Sequence, residues 1–219
     1  MTRLNILYED NHIIVVYKYP GMLSQSDNTK DLDMLSLIKI YLKERYHKSG
    51  QAYVGLVHRL DRPVGGVMVY AKTSKAASRL SDQIRNKQMI KKYYALVHGF
   101  MEEENGVLKN RIEKIDNKKV LLDTPNGKEA LLKYNTVKKI NNFSLVDITL
   151  LTGRYHQIRL QFSSRNHPLY GDYLYGAKNE KELALIAYSL SFKHPTTQEQ
   201  LSFEIDIKNT NFNKILINC

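Results

Sequence analysis

Short runs of β-branched and aromatic residues, broken by turn-forming residues, dominate this sequence. Residues 6–9 and 13–18 flank the polar Asp10-Asn11-His12, which predicts a hairpin. Tyr19-Pro20-Gly21 stops the second run, because proline has no N–H to give a strand ladder. Residues 67–72 and 93–97 read as further strands. Residues 107–137 read as short antiparallel strands, with Asn117 and Pro125-Asn126-Gly127 as turns. A long strand over 143–152 follows Asn141-Asn142. A strand at 190–192 and the alternating Leu201, Phe203, Ile205 and Ile207 finish the sheet. Helical spacing is sparser. Leu32, Leu35, Ile38, Leu42 and Tyr46 form one amphipathic stripe. Thr73 or Ser74 caps a helix carrying Ala77, Leu80 and Ile84, and Gly153 breaks the long strand ahead of a short helix over 155–162. Hairpin signals outnumber strand–helix–strand alternation. The expected class is α+β with a mainly antiparallel mixed sheet and flanking helices. No Gly/Ser/Pro-rich linker interrupts residues 1–207, so two lobes sharing one sheet are expected, with 208–219 as a C-terminal tail.

Lys and Arg total 33 against 22 Asp and Glu, a net charge of +11 that favours a polyanionic partner such as nucleic acid. Apolar residues at 42% and charged residues at 25% argue against a disordered or fibrous chain. The single cysteine, Cys219, leaves no internal disulfide and no cysteine metal cluster. No apolar run approaches a membrane span, and residues 1–6 lack a signal-peptide core, so a reduced, cytoplasmic protein is expected.

Polar residues in unusual settings concentrate in a few segments. In Val57-His58-Arg59-Leu60-Asp61-Arg62-Pro63-Val64-Gly65-Gly66 one carboxylate lies between two arginines. Neighbouring cations favour its ionised form, which can act as nucleophile or base. The plainer alternative is an Arg–Asp bridge that ties down a loop. In Gly153-Arg154-Tyr155-His156-Gln157-Ile158-Arg159, positions 156 and 159 would share a helix face, and a helix start beside two arginines suits phosphate. A basic surface turn is the alternative. In Lys91-Lys92-Tyr93-Tyr94-Ala95-Leu96-Val97, strand alternation sends Tyr93 and Tyr94 to opposite faces. Lysines beside tyrosines suit base stacking with phosphate neutralisation, and core packing is the alternative for either ring.

Taken in order, these segments resemble the RluA-type pseudouridine synthases. That family's signature is matched by His58-Arg59-Leu60-Asp61 through Gly66 to Ala71-Lys72. Its later motifs are matched by residues 91–99 and 153–159, by Pro168, Gly171, Asp172, Tyr175 and Gly176, and by Phe192, His194 and Pro195. The opening residues 6–10 with Lys18, Pro20 and Gly21 are also similar, so the likeness runs over about residues 4–207. The chain departs from the pattern at Val64-Gly65, Tyr155 and Leu185-Ile186-Ala187.

The resemblance implies a pseudouridine synthase fold with a central RNA-binding cleft. It implies isomerisation of uridine in ribosomal or transfer RNA by one essential aspartate after base flipping, with no cofactor and no metal. Asp61 would be the catalytic carboxylate, Tyr93 would lie against the uracil, and Arg159 would pair with Asp61. Arg59 would help fill the space of the extruded base, and Arg62, Lys72, Arg154, His156 and Gln157 would contact RNA with it. A monomer is expected. The competing readings are a non-catalytic RNA-binding or ribosome-assembly factor, and a hydrolase for which Asp172 would supply the second carboxylate.

Overall fold

The structure is a computed structural model that describes residues 4–27, 29, 31–47, 49–116, 120–177 and 182–219. In chain order its elements are β1 (Asn5–Glu9), β2 (Ile13–Lys18), α1 (Met34–Arg45), β3 (Gly55–Leu56), β4 (Gly65–Ala71), α2 (Ser74–Arg85), β5 (Ile90–His98), β6 (Asn105–Lys114), β7 (Val120–Leu122), β8 (Lys128–Ile140), β9 (Phe143–Leu150), α3 (Gln157–Ser163), β10 (Leu185–Lys193), β11 (Gln200–Glu204) and α4 (Asn211–Asn218). The chain divides into two compact units, Met1–Met89 with Ser189–Ile205, and Ile90–Tyr188 with Asp206–Cys219.

In the first unit β2 pairs antiparallel with both β1 and β4, and β3 pairs with β4. The β1–β2 hairpin stands where the sequence predicts it. The Asp10 carboxylate accepts hydrogen bonds from the backbone N–H groups of His12 and Ile13 and so closes the turn. β2 and β4 are buried along their whole length, which is why they read as unbroken apolar runs and not as alternation. Ala76 and Leu80 of α2 pack into one core with Ile13, Val15, Val67, Val69, Leu190 and Phe192. Burying each large aliphatic side chain there contributes about 1.5–3 kcal/mol. The Thr73 hydroxyl accepts the Ala76 N–H at 3.1 Å and caps α2.

Helix α1 begins later than Leu32, because the Asp33 carboxylate caps it by accepting from the Ser36 N–H. Its buried face is Met34, Ile38 and Leu42, whereas Leu32 and Tyr46 are exposed. β11 pairs antiparallel with the Ser189–Lys193 part of β10 and ends at Glu204, short of the expected Ile207. Ile207 instead opens a single 3-10 turn in the second unit.

In the second unit the strand order is β5-β9-β8-β6-β7, each pair antiparallel. β6 and β8 run for 10 and 13 residues, longer than the short strands expected. Gly127 follows the expected Pro125-Asn126 turn, and a Cβ there would lie 2.9 Å from the Arg111 backbone. Asn117 lies outside the described residues. Residues Leu185–Tyr188 of β10 belong to this unit, while its remainder belongs to the first.

The expected tail is helical over α4. Phe212 on that helix is buried with its ring 6.5 Å from Tyr94, which stacks on Tyr188 at 4.1 Å. Tyr94 is therefore a packing residue. Among the described residues no helix is long and apolar enough to cross a membrane. The class is α+β with antiparallel pairing throughout the named pairs, as the hairpin pattern predicts.

Candidate active site

Asp61 lies in the loop that joins β3 to β4 in the first unit. The loop cannot continue a strand, because Pro63 has no N–H to donate. It turns back through a hydrogen bond from the Val64 N–H to the Asp61 carbonyl at 3.0 Å. Gly65 then lets Pro20 close on the backbone, since a Cβ there would stand 2.9 Å from the proline ring. Buried side chains clamp the residues on either side of Asp61. The Ser24 hydroxyl donates to the Leu60 carbonyl at 2.8 Å and accepts the Leu60 N–H at 3.1 Å. Tyr70 donates to the Ser24 carbonyl at 2.9 Å and fixes that residue in turn. On the other side the Lys18 ammonium donates to the carbonyls of Met22 at 2.7 Å and Arg62 at 3.1 Å.

Asp61 itself is half-buried. It is held by its backbone neighbours and offers a carboxylate from a preorganised turn. Lys18 is also its electrostatic neighbour. Burial pulls the Lys18 ammonium down to about 7, and the negative charge of Asp61 opposes that fall.

The other expected residues of this unit have distinct places. Arg59 is exposed. Arg62 is exposed, donates from Nε to the Gly21 carbonyl and forms an ion pair with Asp31 at 2.8 Å. His58 accepts the Val69 N–H at Nε2, which suits the plain role of a hydrogen-bonded packing residue. Lys72 is engaged inside its own unit. Its ammonium pairs with Glu9 at 2.6 Å and donates to the Asp10 carbonyl, so it secures the β1–β2 turn and its charge is matched locally.

In the second unit Tyr93 is buried on β5. Arg159 is buried on α3, and its guanidinium meets Asp172 through two bonds, Nε to Oδ2 and Nη2 to Oδ1, each 2.7 Å. The fork geometry matches the carboxylate, and both oxygens of Asp172 are engaged. Asp172 is thus no free acid for the hydrolase reading. The residue before Asp172 has no room for a side chain, as a Cβ on Gly171 would lie 1.9 Å from the Glu182 carbonyl oxygen.

The ring of Tyr175 lies 5.2 Å from the Arg159 guanidinium carbon, and its hydroxyl is 2.8 Å from His156 Nδ1. His156 and Arg159 therefore meet at Tyr175, though not on one helix face. His156 precedes α3 in a left-handed conformation, φ 51°. Gln157 is buried, and its Oε1 accepts from the Thr152 hydroxyl at 2.8 Å and the Arg154 N–H at 3.0 Å, which shapes the entry to α3. Arg154 donates to the Glu129 carbonyl at 2.8 Å.

Asp172 and Tyr175 were visible in the sequence as motif positions, but nothing there linked them to Arg159. Lys18 was visible only as a motif position, with nothing linking it to Asp61, and Ser24 carried no signal at all. Among the described residues no group of three or more His, Cys, Asp or Glu side chains is placed to hold a metal ion.

Comparison with known proteins adds the last observations. The family described as RNA pseudouridylate synthase matches residues 12–164. An RNA pseudouridine synthase of Mycoplasma pneumoniae, described as uncharacterized, is 34% identical over 97% of this chain and 69% of its own length. The dual-specificity RNA pseudouridine synthase RluA of Pasteurella multocida is 33% identical, with 91% of each chain covered. Ribosomal large subunit pseudouridine synthase C of Buchnera aphidicola is 35% identical over 90% of this chain and 64% of its own. In fold the chain is similar to human RNA pseudouridylate synthase domain containing 4, with a TM-score of 0.78 at 22% identity over 92% of this chain and 88% of that one.

Proposed function

Since the chain belongs to the RNA pseudouridylate synthase family, we propose that it isomerises uridine in ribosomal or transfer RNA to pseudouridine with Asp61 as the essential carboxylate. A paired uridine hides its glycosidic bond, so the nucleotide must first be flipped out, at a cost of a few kcal/mol of unstacking. The bond from C1′ to N1 breaks, the detached uracil turns, and C1′ bonds to C5. The proton on C5 leaves and N1 ends protonated, so the change is internal and needs no oxidant, reductant or group donor. Asp61 either attacks C1′, attacks the base, or takes a proton. In the same proposal Tyr93 carries the uracil ring and Arg159 is a third catalytic residue. Arg59 helps fill the place of the extruded base, and Arg62, Arg154 and His156 meet the RNA.

The observation that carries the reading is the clamped turn. Ser24 and Lys18 fix Leu60 and Arg62 on either side of a half-buried aspartate. Two buried polar anchors at one loop are costly to assemble for a mere tether. The test is a pseudouridine map of total RNA from cells that lack the protein, complemented with wild type or Asp61→Asn. A site restored by wild type and not by Asp61→Asn, with RNA affinity kept, is the expected result. Equal restoration by the variant would refute the assignment of Asp61.

A further inference from the structure

Lys91 is a half-buried lysine whose charge no described residue matches. Lys18 and Lys72 are matched: the first donates to backbone carbonyls and the second pairs with Glu9. Around Lys91, among the described residues, no hydrogen bond or ion pair engages the ammonium. Burial alone pulls its pKa below the usual lysine range. A partly buried ammonium with no protein partner favours the approach of an anion.

The placement is specific. Lys91 and Tyr93 stand two residues apart on β5, which turns both side chains to the same face, roughly 7 Å apart along the strand. The Lys91 ammonium lies 3.2 Å from where a Cβ on Gly153 would stand. Gly153 is the residue that opens the turn into α3, the helix that bears Arg159. The ammonium thus lies beside the Gly153 backbone, in ground that a Cβ there would partly take.

We propose that Lys91 is a substrate-binding residue that pairs with a backbone phosphate of the nucleotide received by Tyr93. The role rests on the pseudouridine synthase reading. A nucleotide whose uracil lies on Tyr93 carries a phosphate within reach of a side chain on the same strand face. A phosphate oxygen supplies the negative charge that the surroundings of Lys91 lack, whereas a neutral uracil carbonyl would not offset the burial of a cation. Lysine suits this as a compact point charge that accepts a phosphate from several directions.

The probe is a synthetic RNA stem-loop carrying a uridine that the wild-type chain modifies in total RNA. Steady-state turnover is measured over a salt series for wild type, Lys91→Gln and Lys91→Arg, with thermal denaturation of each. Lys91→Gln is expected to lose about tenfold in kcat/KM, chiefly through KM, and to flatten the log–log salt slope by about 0.7. Lys91→Arg is expected to recover most of that loss. A methylphosphonate replacing the phosphate beside the target uridine should lower wild type to the level of Lys91→Gln and leave Lys91→Gln unchanged. Unaltered kcat/KM and slope in Lys91→Gln would overturn the proposal. So would losses from the methylphosphonate and Lys91→Gln that simply multiply, or a loss that accompanies a lowered Tm and that arginine does not repair. A wild-type chain that modifies no uridine overturns the enzymatic reading itself, and the role of Lys91 with it.

Discussion

Asp172 grips Arg159 through two parallel hydrogen bonds of 2.7 Å, with both side chains buried. The carboxylate neutralises a guanidinium that would otherwise be a lone buried charge, and the fork fixes its plane. Tyr175 adds its ring face on the same guanidinium. Arg159 is therefore oriented from behind by its own unit, whatever it meets in front.

Removing one partner from such a pair leaves the other charge unmatched. Asp172→Ala is expected to cost about 3–5 kcal/mol of folding free energy, whereas the apolar double replacement Arg159→Met with Asp172→Leu recovers most of it. Urea denaturation of the variants checks this. Turnover should stay lost in the double variant, since the guanidinium is gone. A double variant as unstable as the sum of its parts would show that the two residues are not coupled.

Gly171 predicts a second, local failure. Its φ of +73° lies in the left-handed region, and a Cβ would stand 1.9 Å from the Glu182 carbonyl oxygen. Gly171→Ala is expected to cost at least about 2 kcal/mol, because backbone and not a flexible side chain must move. Gly21→Ala is the control: its φ is also positive, +85°, but nothing lies within 4 Å of the added Cβ. Thermal melts should rank Gly171→Ala well below Gly21→Ala. Equal melts would contradict the steric account.

The Lys18 ammonium makes stability depend on pH in a definite direction. Its pKa in the fold is about 7, below the ordinary 10.5. Between those values the unfolded chain binds the extra proton, so this group makes stability rise with pH. Its charging penalty is fully present below pH 7 and is relieved as pH climbs towards 10. Lys18→Met removes that contribution. Wild type should therefore gain stability relative to Lys18→Met when urea unfolding is measured at pH 9 and compared with pH 6. A constant difference between the two pH values would show that the Lys18 pKa is not depressed.

Local patterns determined a good part of this protein. The Asp10 turn between β1 and β2, the Thr73 cap of α2 and the alternation of Tyr93 and Tyr94 are contacts between residues a few positions apart, so the sequence displays them directly. Asp61 drew notice for the same reason, since Arg59 and Arg62 are its chain neighbours. β6 and β8 were legible only as fragments. Each buries one face, and the lysines and asparagines of the solvent face weaken a propensity reading of a long strand. The final helix α4 offered no signal because a helix of 8 residues is marginal alone and is held by Phe212 packing near Tyr94.

What only the tertiary structure decided is which charge meets which. Lys72 and Glu9 are 63 positions apart, and the Lys18 ammonium and the Arg62 backbone carbonyl that accepts from it are 44 apart. Arg159 and Asp172 are 13 apart. No periodicity spans such separations. The strand register and the tight turns bring these groups within hydrogen-bonding distance, and low solvent exposure then makes each match or mismatch consequential. The sequence could name the ionisable residues, but burial and partnership, set by the fold, decided that Lys72 secures a turn, Asp172 orients an arginine and Lys91 is left unmatched.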